Sequence, residues 1–145
     1  MAEEKEWEKG MRTHENILFS CFGGLSNTGI TSALACMEAV RELGLEKVAI
    51  GCLGGLPLSV KPVVGKTEAA KKVITVDGCP FECSRKIVEG AGYKPTRSIV
   101  LVNDIGMKKK ALHLDVGKGL GMDKYISEEE VKRAKELIVK TILED

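Results

Sequence analysis

Aromatic side chains are scarce in this 145-residue chain: one Trp, two Tyr and three Phe, 4% in all. That leaves no platform on which bases would stack. An excess of one charge is missing too. Lys and Arg number 22 against 21 Asp and Glu, a formal charge of +1. No field draws in a polyanion, so no nucleic-acid partner is expected. Long apolar runs are absent, and the opening MAEEKEWEKG is mostly charged. Neither a membrane span nor a secretory leader is expected, and the chain reads as cytoplasmic. Histidine occurs only twice. A Ser-His-Asp or Cys-His enzyme would have His113 as its one candidate base, since His14 lies in the lead-in. The plainer reading of His113 is a half-buried structural histidine.

What is present is globular: 43% hydrophobic and 30% charged residues, enough for a core. The expected organisation is a polar lead-in over residues 1–14, with Trp7 as a surface anchor, followed by one α/β domain over 15–145. Apolar runs at 16–21, 47–52, 73–77 and 98–102 read as strands, each running into Gly or Asn-Asp. Continuous rather than alternating apolarity marks them as buried strands of a parallel sheet. Helical periodicity joins them, from Asn27 or Thr28 to Leu43, near Lys66–Lys72 and over 80–89. Ala111–Val116 reads as a short fifth strand. Ser127 with Glu130 forms a capping box for a last helix to about Leu143. Strand-helix alternation predicts a three-layer Rossmann-like or flavodoxin-like fold, with a mostly parallel sheet of four to five strands.

The five cysteines carry the chemistry. An odd number in a chain without a leader argues against a secreted disulfide framework. Cys21-Phe22-Gly23-Gly24-Leu25 and Cys52-Leu53-Gly54-Gly55-Leu56 repeat one pattern, each directly after a strand. Cys79 also follows a strand. Separations of 31 and 27 residues suit βαβ units, so all three thiols belong at the carboxyl edge, where open α/β sheets bind ligands. Pro80 suits the first position of a helix. Cys79 would then cap that helix and Cys83 would lie one turn inside, with the dipole favouring the Cys79 thiolate. Cys36, within a helical run, reads as a packing residue.

Other groups at this edge are candidates for ligand binding or for support of a metal site: Gly23, Gly24, Asn27, Asp77 and Asp104. The glycine-rich loop 23–29 offers backbone N–H groups to an anion or simply makes a turn. Ser26 and Thr28 suit helix capping. Asp77 and Asp104 end strands, where Asp also makes turns. Lys108, Lys109 and Lys110 read as a solvated loop.

Asp77-Gly78-Cys79 and Cys83, together with Cys21-x-Gly-Gly, Asn27, Gly29 and Cys52, resemble the DGC family of small metal-binding proteins, named for the Asp-Gly-Cys motif. The resemblance covers about residues 16–105. It implies four zinc-chelating cysteines, which fall by motif on Cys21, Cys52, Cys79 and Cys83. Where the family carries Ala after the last of these, this chain has Ser84. The resemblance implies a site and a fold, and no particular reaction.

The leading expectation is a protein that binds zinc through four thiolates. A four-thiolate iron–sulfur cluster is the alternative cofactor. A fold of this size does not need zinc for its stability, so binding, transfer or catalysis is the expected use. Two other readings stay open. One is a thiol enzyme with Cys79 as nucleophile and Cys83 or Cys21 resolving a disulfide. The other is a module for a small anionic ligand. The partner is accordingly a small molecule or another protein.

Overall fold

The computed structural model describes residues 14–145. Most of the expected lead-in, Trp7 included, lies outside the described residues. Four strands, β1 (Asn16–Ser20), β2 (Val48–Ile50), β3 (Lys72–Asp77) and β4 (Arg97–Val100), form one sheet. All three pairings are parallel, in the order β2-β1-β3-β4. This order matches the flavodoxin-like arrangement rather than the Rossmann one, because β3 lies directly beside β1. The chain reverses its direction of travel across the sheet between those two strands, which opens a crevice beyond their carboxyl ends.

Helices α1 (Asn27–Leu43), α2 (Lys61–Ala69), α3 (Cys83–Gly90), α4 (Leu101–Asp104) and α5 (Glu128–Leu143) complete the fold. One face of the sheet packs Leu18, Val48, Ile74, Val76 and Ile99 against Ala35, Cys36 and Ala39 of α1 and Ala134, Ile138 and Ile142 of α5. The other packs Ile17, Phe19 and Val73 against Val88 of α3, with Leu56 and Val63 beside them. Ile17, Leu18 and Phe19 are consecutive and all fully buried. That requires cover on both faces, which is why the run is continuous rather than alternating. Each such side chain contributes on the order of 1.5–3 kcal/mol.

Several boundaries differ from expectation. Strand β2 stops at Ile50; the Gly51 N–H still donates to the Leu18 carbonyl of β1 (2.8 Å), and Cys52 then leads into a 3₁₀ turn over Leu53–Gly55. Helix α2 starts at Lys61, earlier than Lys66, with Pro62 in its first turn. Proline is tolerated there because the first N–H groups have no helical partner anyway. Strand β4 ends at Val100, and Leu101 begins a short helix whose Asp104 carboxylate accepts from the Val100 N–H (2.7 Å). The expected fifth strand is a 3₁₀ turn, Leu112–Asp115, with a lone antiparallel bridge between Ser26 and Ala111. Helix α5 is capped as expected on one side, the Ser127 hydroxyl accepting from the Glu130 N–H (3.3 Å). His14 is buried, its ring N–H donating to the Lys66 carbonyl (2.9 Å), whereas His113 is exposed.

The segment from 107 to 126 holds its shape through Asp115. Its carboxylate accepts from the Tyr125 hydroxyl and pairs with Lys110 (3.1 Å) and Lys118 (2.9 Å). The Tyr125 hydroxyl, then Lys118 and Lys110, hold the Asp115 carboxyl well below the usual carboxylate range. A carboxylate with a lowered native pKa stabilises above its unfolded value and loses that contribution as pH falls through the native one. The stability difference between wild type and Asp115→Asn should be present at neutral pH and shrink below about pH 4. Thermal melts of both proteins across that range check this, and a pH-independent difference would contradict it.

Among the described residues, no helix is long and apolar enough to cross a membrane.

Candidate functional site

Cys21 and Cys79 stand just past the carboxyl ends of β1 and β3, the two strands flanking the crevice. Pairing continues one residue beyond the Ser20–Val76 register, with the Cys21 N–H donating to the Val76 carbonyl (3.3 Å). Cys21 therefore leaves β1 beside Asp77. Three segments meet under this corner with backbone against backbone. A β-carbon on Gly78 would overlap the Thr28 carbonyl and come within 2.6 Å of the Gly29 nitrogen. One on Gly29 would lie 2.7 Å from the Gly23 carbonyl oxygen. Gly23 itself has φ +27°, in the left-handed region that glycine enters freely. The glycines of the two loops thus bring the first turn of α1 against both cysteine loops.

Asp77 is 1% exposed, and its carboxylate accepts from the Ser84 N–H (2.8 Å) and the Arg85 N–H (3.2 Å). It caps α3 from the end of the neighbouring strand. Burial pushes its carboxyl up, and those two N–H groups pull the other way. This corrects the expected role of Pro80. Residues 79–82 form a turn, Glu82 takes a left-handed conformation (φ 52°), and the helix begins at Cys83. Cys79 is no helix cap, Cys83 occupies the first helical position, and the Ser84 and Arg85 amides of that turn are taken by Asp77. The electrostatic argument for Cys79 as an activated nucleophile falls with that placement. The Ser84 hydroxyl is buried beside Asp77 without a partner at hydrogen-bonding geometry.

Burial pushes the Cys21 thiol up; the Gly23 N–H opposes this, and the charges of Cys83, Asp77 and Cys79 add to the rise. Cys52 lies past the edge strand β2, just before the 3₁₀ turn Leu53–Gly55, and is exposed. Cys36 is fully buried in the α1 core, and burial pushes its thiol up to about 12, as suits a packing residue. Among the described residues, no three Cys, His, Asp or Glu side chains already lie close enough to hold a metal ion.

The other candidates have structural work. The Asn27 side chain donates to the Lys108 carbonyl (2.9 Å) and accepts from the Lys110 N–H (2.6 Å). With Leu112 N–H donating to the Leu25 carbonyl (2.8 Å), this ties residues 108–112 across the start of α1. Lys109 extends from that strap over the Phe81 ring, 4.3 Å from its centre, so the strap also touches the Cys79 loop. Ser26 precedes α1 without capping it; its hydroxyl pairs with that of Thr28 (2.8 Å). Asp104 serves its own turn, as above, and Gly24 has open space where a side chain would go. The roles of Gly29, Gly78 and the strap were not read from the sequence. A glycine in the first turn of a helix is the one signal that pointed to a close approach.

A family model described as the DGC domain matches residues 17–138. The match runs past residue 105, through the strap and into α5. No curated protein and no solved structure matches the chain.

Proposed function

The chain belongs to the DGC domain family, and from that premise we propose that it binds a metal ion, zinc, through Cys21, Cys79, Cys83 and Cys52. Placement carries this reading: two cysteines end the strands at the crevice, and a third opens the helix that Asp77 holds over the same corner. Thiolate donors suit zinc, and Cys₄ is a common zinc set. Zinc has no geometric preference of its own from d-electrons, so it suits ligands supplied by three separate loops. The donor chemistry fits, while the sulfurs are not yet gathered. Closure needs the thiols drawn together, above all Cys52 from its 3₁₀ turn beyond the edge strand.

Protein groups prepare that closure. Asp77 fixes the start of α3 and so the position of Cys83. Gly23, Gly29 and Gly78 fix the spacing of the Cys21 and Cys79 loops. Cys21, held as a thiol by burial and by negative neighbours, must release its proton as it becomes a ligand. A bound cation would supply the positive charge that reverses that electrostatic balance.

Metal content measured on protein purified without added metal tests this. About one zinc per chain is expected. Cys36→Ala should keep that zinc and cost about 1–2 kcal/mol of packing. Iron with sulfide in place of zinc would replace the ion by a cluster. Absence of metal, or equal metal loss from Cys36→Ala and Cys52→Ala, would overturn the assignment.

A further inference from the structure

Phenylalanine occurs three times in the chain, at Phe19, Phe22 and Phe81. Phe19 is sealed in the core. The other two sit in the cysteine loops, Phe22 directly after Cys21 and Phe81 between Cys79 and Cys83, and they are 64% and 60% exposed. Leu25, in the loop of Phe22, is 69% exposed. A single exposed apolar side chain is ordinary, but these belong to segments in contact. The Lys109 ammonium lies over the Phe81 ring, 4.3 Å from its centre. Asn27 clamps the residues on either side of Lys109, through the Lys108 carbonyl (2.9 Å) and the Lys110 N–H (2.6 Å). Farther along, the Leu112 N–H donates to the Leu25 carbonyl (2.8 Å). Phe22 immediately precedes the turn that contains Leu25, which the Ser26 N–H closes on the Gly23 carbonyl (2.9 Å). Contacts therefore run without a break from Phe81 through the strap to the loop of Leu25 and Phe22. The charge of this corner is one-sided. Residues 108–118 hold four lysines and one aspartate, and Asp115 is already shared by Lys110 and Lys118. Glu82, beside Phe81, is held by Arg85 (2.9 Å). A chain that is nearly neutral overall thus gathers a local positive excess next to two exposed aromatic rings.

We propose that this corner docks a partner protein through an acidic segment that carries apolar residues. Apolar side chains of the partner cover Phe22, Leu25 and Phe81, and its carboxylates face Lys108 and Lys109. Aromatic side chains are enriched where proteins meet, and opposite charge steers the encounter. The backbone contacts of Gly78 with Thr28 and of Gly29 with Gly23 hold the loops beneath, so the partner meets a formed surface and little ordering is lost on binding. The corner borders the crevice beyond β1 and β3, and a recess of that kind suits a chain segment better than a flat bilayer. The proposal goes beyond the metal reading and does not rest on it.

The probe is a fluorescently labelled peptide of Glu and Leu, with a Lys-and-Leu peptide and a Glu-and-Ser peptide as counterparts. Anisotropy titrations should show the Glu-and-Leu peptide binding at roughly micromolar concentration, more weakly as salt is raised. Both counterparts should bind about tenfold more weakly or worse. Phe22→Ser, Phe81→Ser and Lys109→Glu should each weaken the Glu-and-Leu peptide about tenfold. Leu45→Ala changes a leucine as exposed as Leu25, but one that lies before β2 at the opposite end of the sheet, and should leave binding alone. All of these side chains are exposed, so thermal melts of the variants should match wild type. Amide chemical-shift changes on peptide binding should centre on residues 21–27, 79–82 and 108–112. No binding of the Glu-and-Leu peptide, equal binding of the Lys-and-Leu peptide, or shifts centred elsewhere would overturn the proposal. Binding to phosphatidylserine vesicles that Lys109→Glu abolishes, with no binding of the peptide, would give the surface to a membrane and overturn the protein partner.

Discussion

Gly78→Ala is expected to lower the stability of the protein by about 3 kcal/mol or more. The added methyl group would overlap the Thr28 carbonyl and crowd the Gly29 nitrogen. Both are backbone atoms in the first turn of α1. A flexible side chain could turn aside; here a helix or a strand end has to move. Gly29 cannot give way easily, because it packs in turn against Gly23. Gly90→Ala is the contrasting change. That glycine sits in helical conformation at the end of α3 with open space around it, so alanine should be neutral or stabilise by up to about 1 kcal/mol. Urea titrations measure both, with a lower midpoint and unchanged slope expected for Gly78→Ala. Similar small effects from the two substitutions would show that the three segments are not pressed together.

The second large effect concerns the thiols one by one. Zinc held by a full structural set is worth about 10–16 kcal/mol in small peptides near neutral pH. Loss of one of four ligands is then on the order of 3 kcal/mol, more than a hundredfold in Kd. Cys21→Ser, Cys79→Ser and Cys83→Ser should each reach that loss. These residues belong to the strand ends and the helix start around Asp77, so their order is set by the fold. Cys52→Ser should lose less. Cys52 is exposed beyond the edge strand, and drawing it in offsets part of what its sulfur contributes. Chelator competition on each variant gives the ranking. Equal losses at all four positions would mean that the Cys52 loop is already part of the closed site. A Cys21→Ser variant that binds zinc like wild type would remove the crevice from the account.

The readable parts of this protein are those where one physical cause dominates. Burial on both faces made Ile17-Leu18-Phe19 a continuous apolar run and Val73-Ile74 its counterpart in β3, and one-sided burial gave α1 and α5 their periodicity. Cysteine after a strand was sufficient to place Cys21 and Cys79 at one edge. The misreadings came where two causes compete. Pro80 suits a helix start by sequence, yet in the fold it sits in the turn before α3, whereas Pro62 sits in the first turn of α2. Proline fixes only its own φ, and what begins α3 is Asp77 from a neighbouring strand. Leu101 and Val102 look like the end of a strand, yet Asp104 reaches back to the Val100 N–H and turns them into a helix. The Asn27 clamp spans 81 residues to Lys108, and no local pattern announces a contact of that range. The order β2-β1-β3-β4 was likewise undecided by alternation alone, since both candidate folds share it.

The central claim is that sulfur from the crevice cysteines holds the metal. X-ray absorption at the zinc edge of protein purified without added metal tests it most directly. The account predicts a first shell of sulfur at about 2.3 Å with three to four scatterers. It also predicts that one sulfur gives way to a lighter atom in Cys79→Ser and that the shell is unchanged in Cys36→Ala. A first shell of nitrogen and oxygen at about 2.0–2.2 Å, or a sulfur shell that survives Cys79→Ser intact, would contradict it.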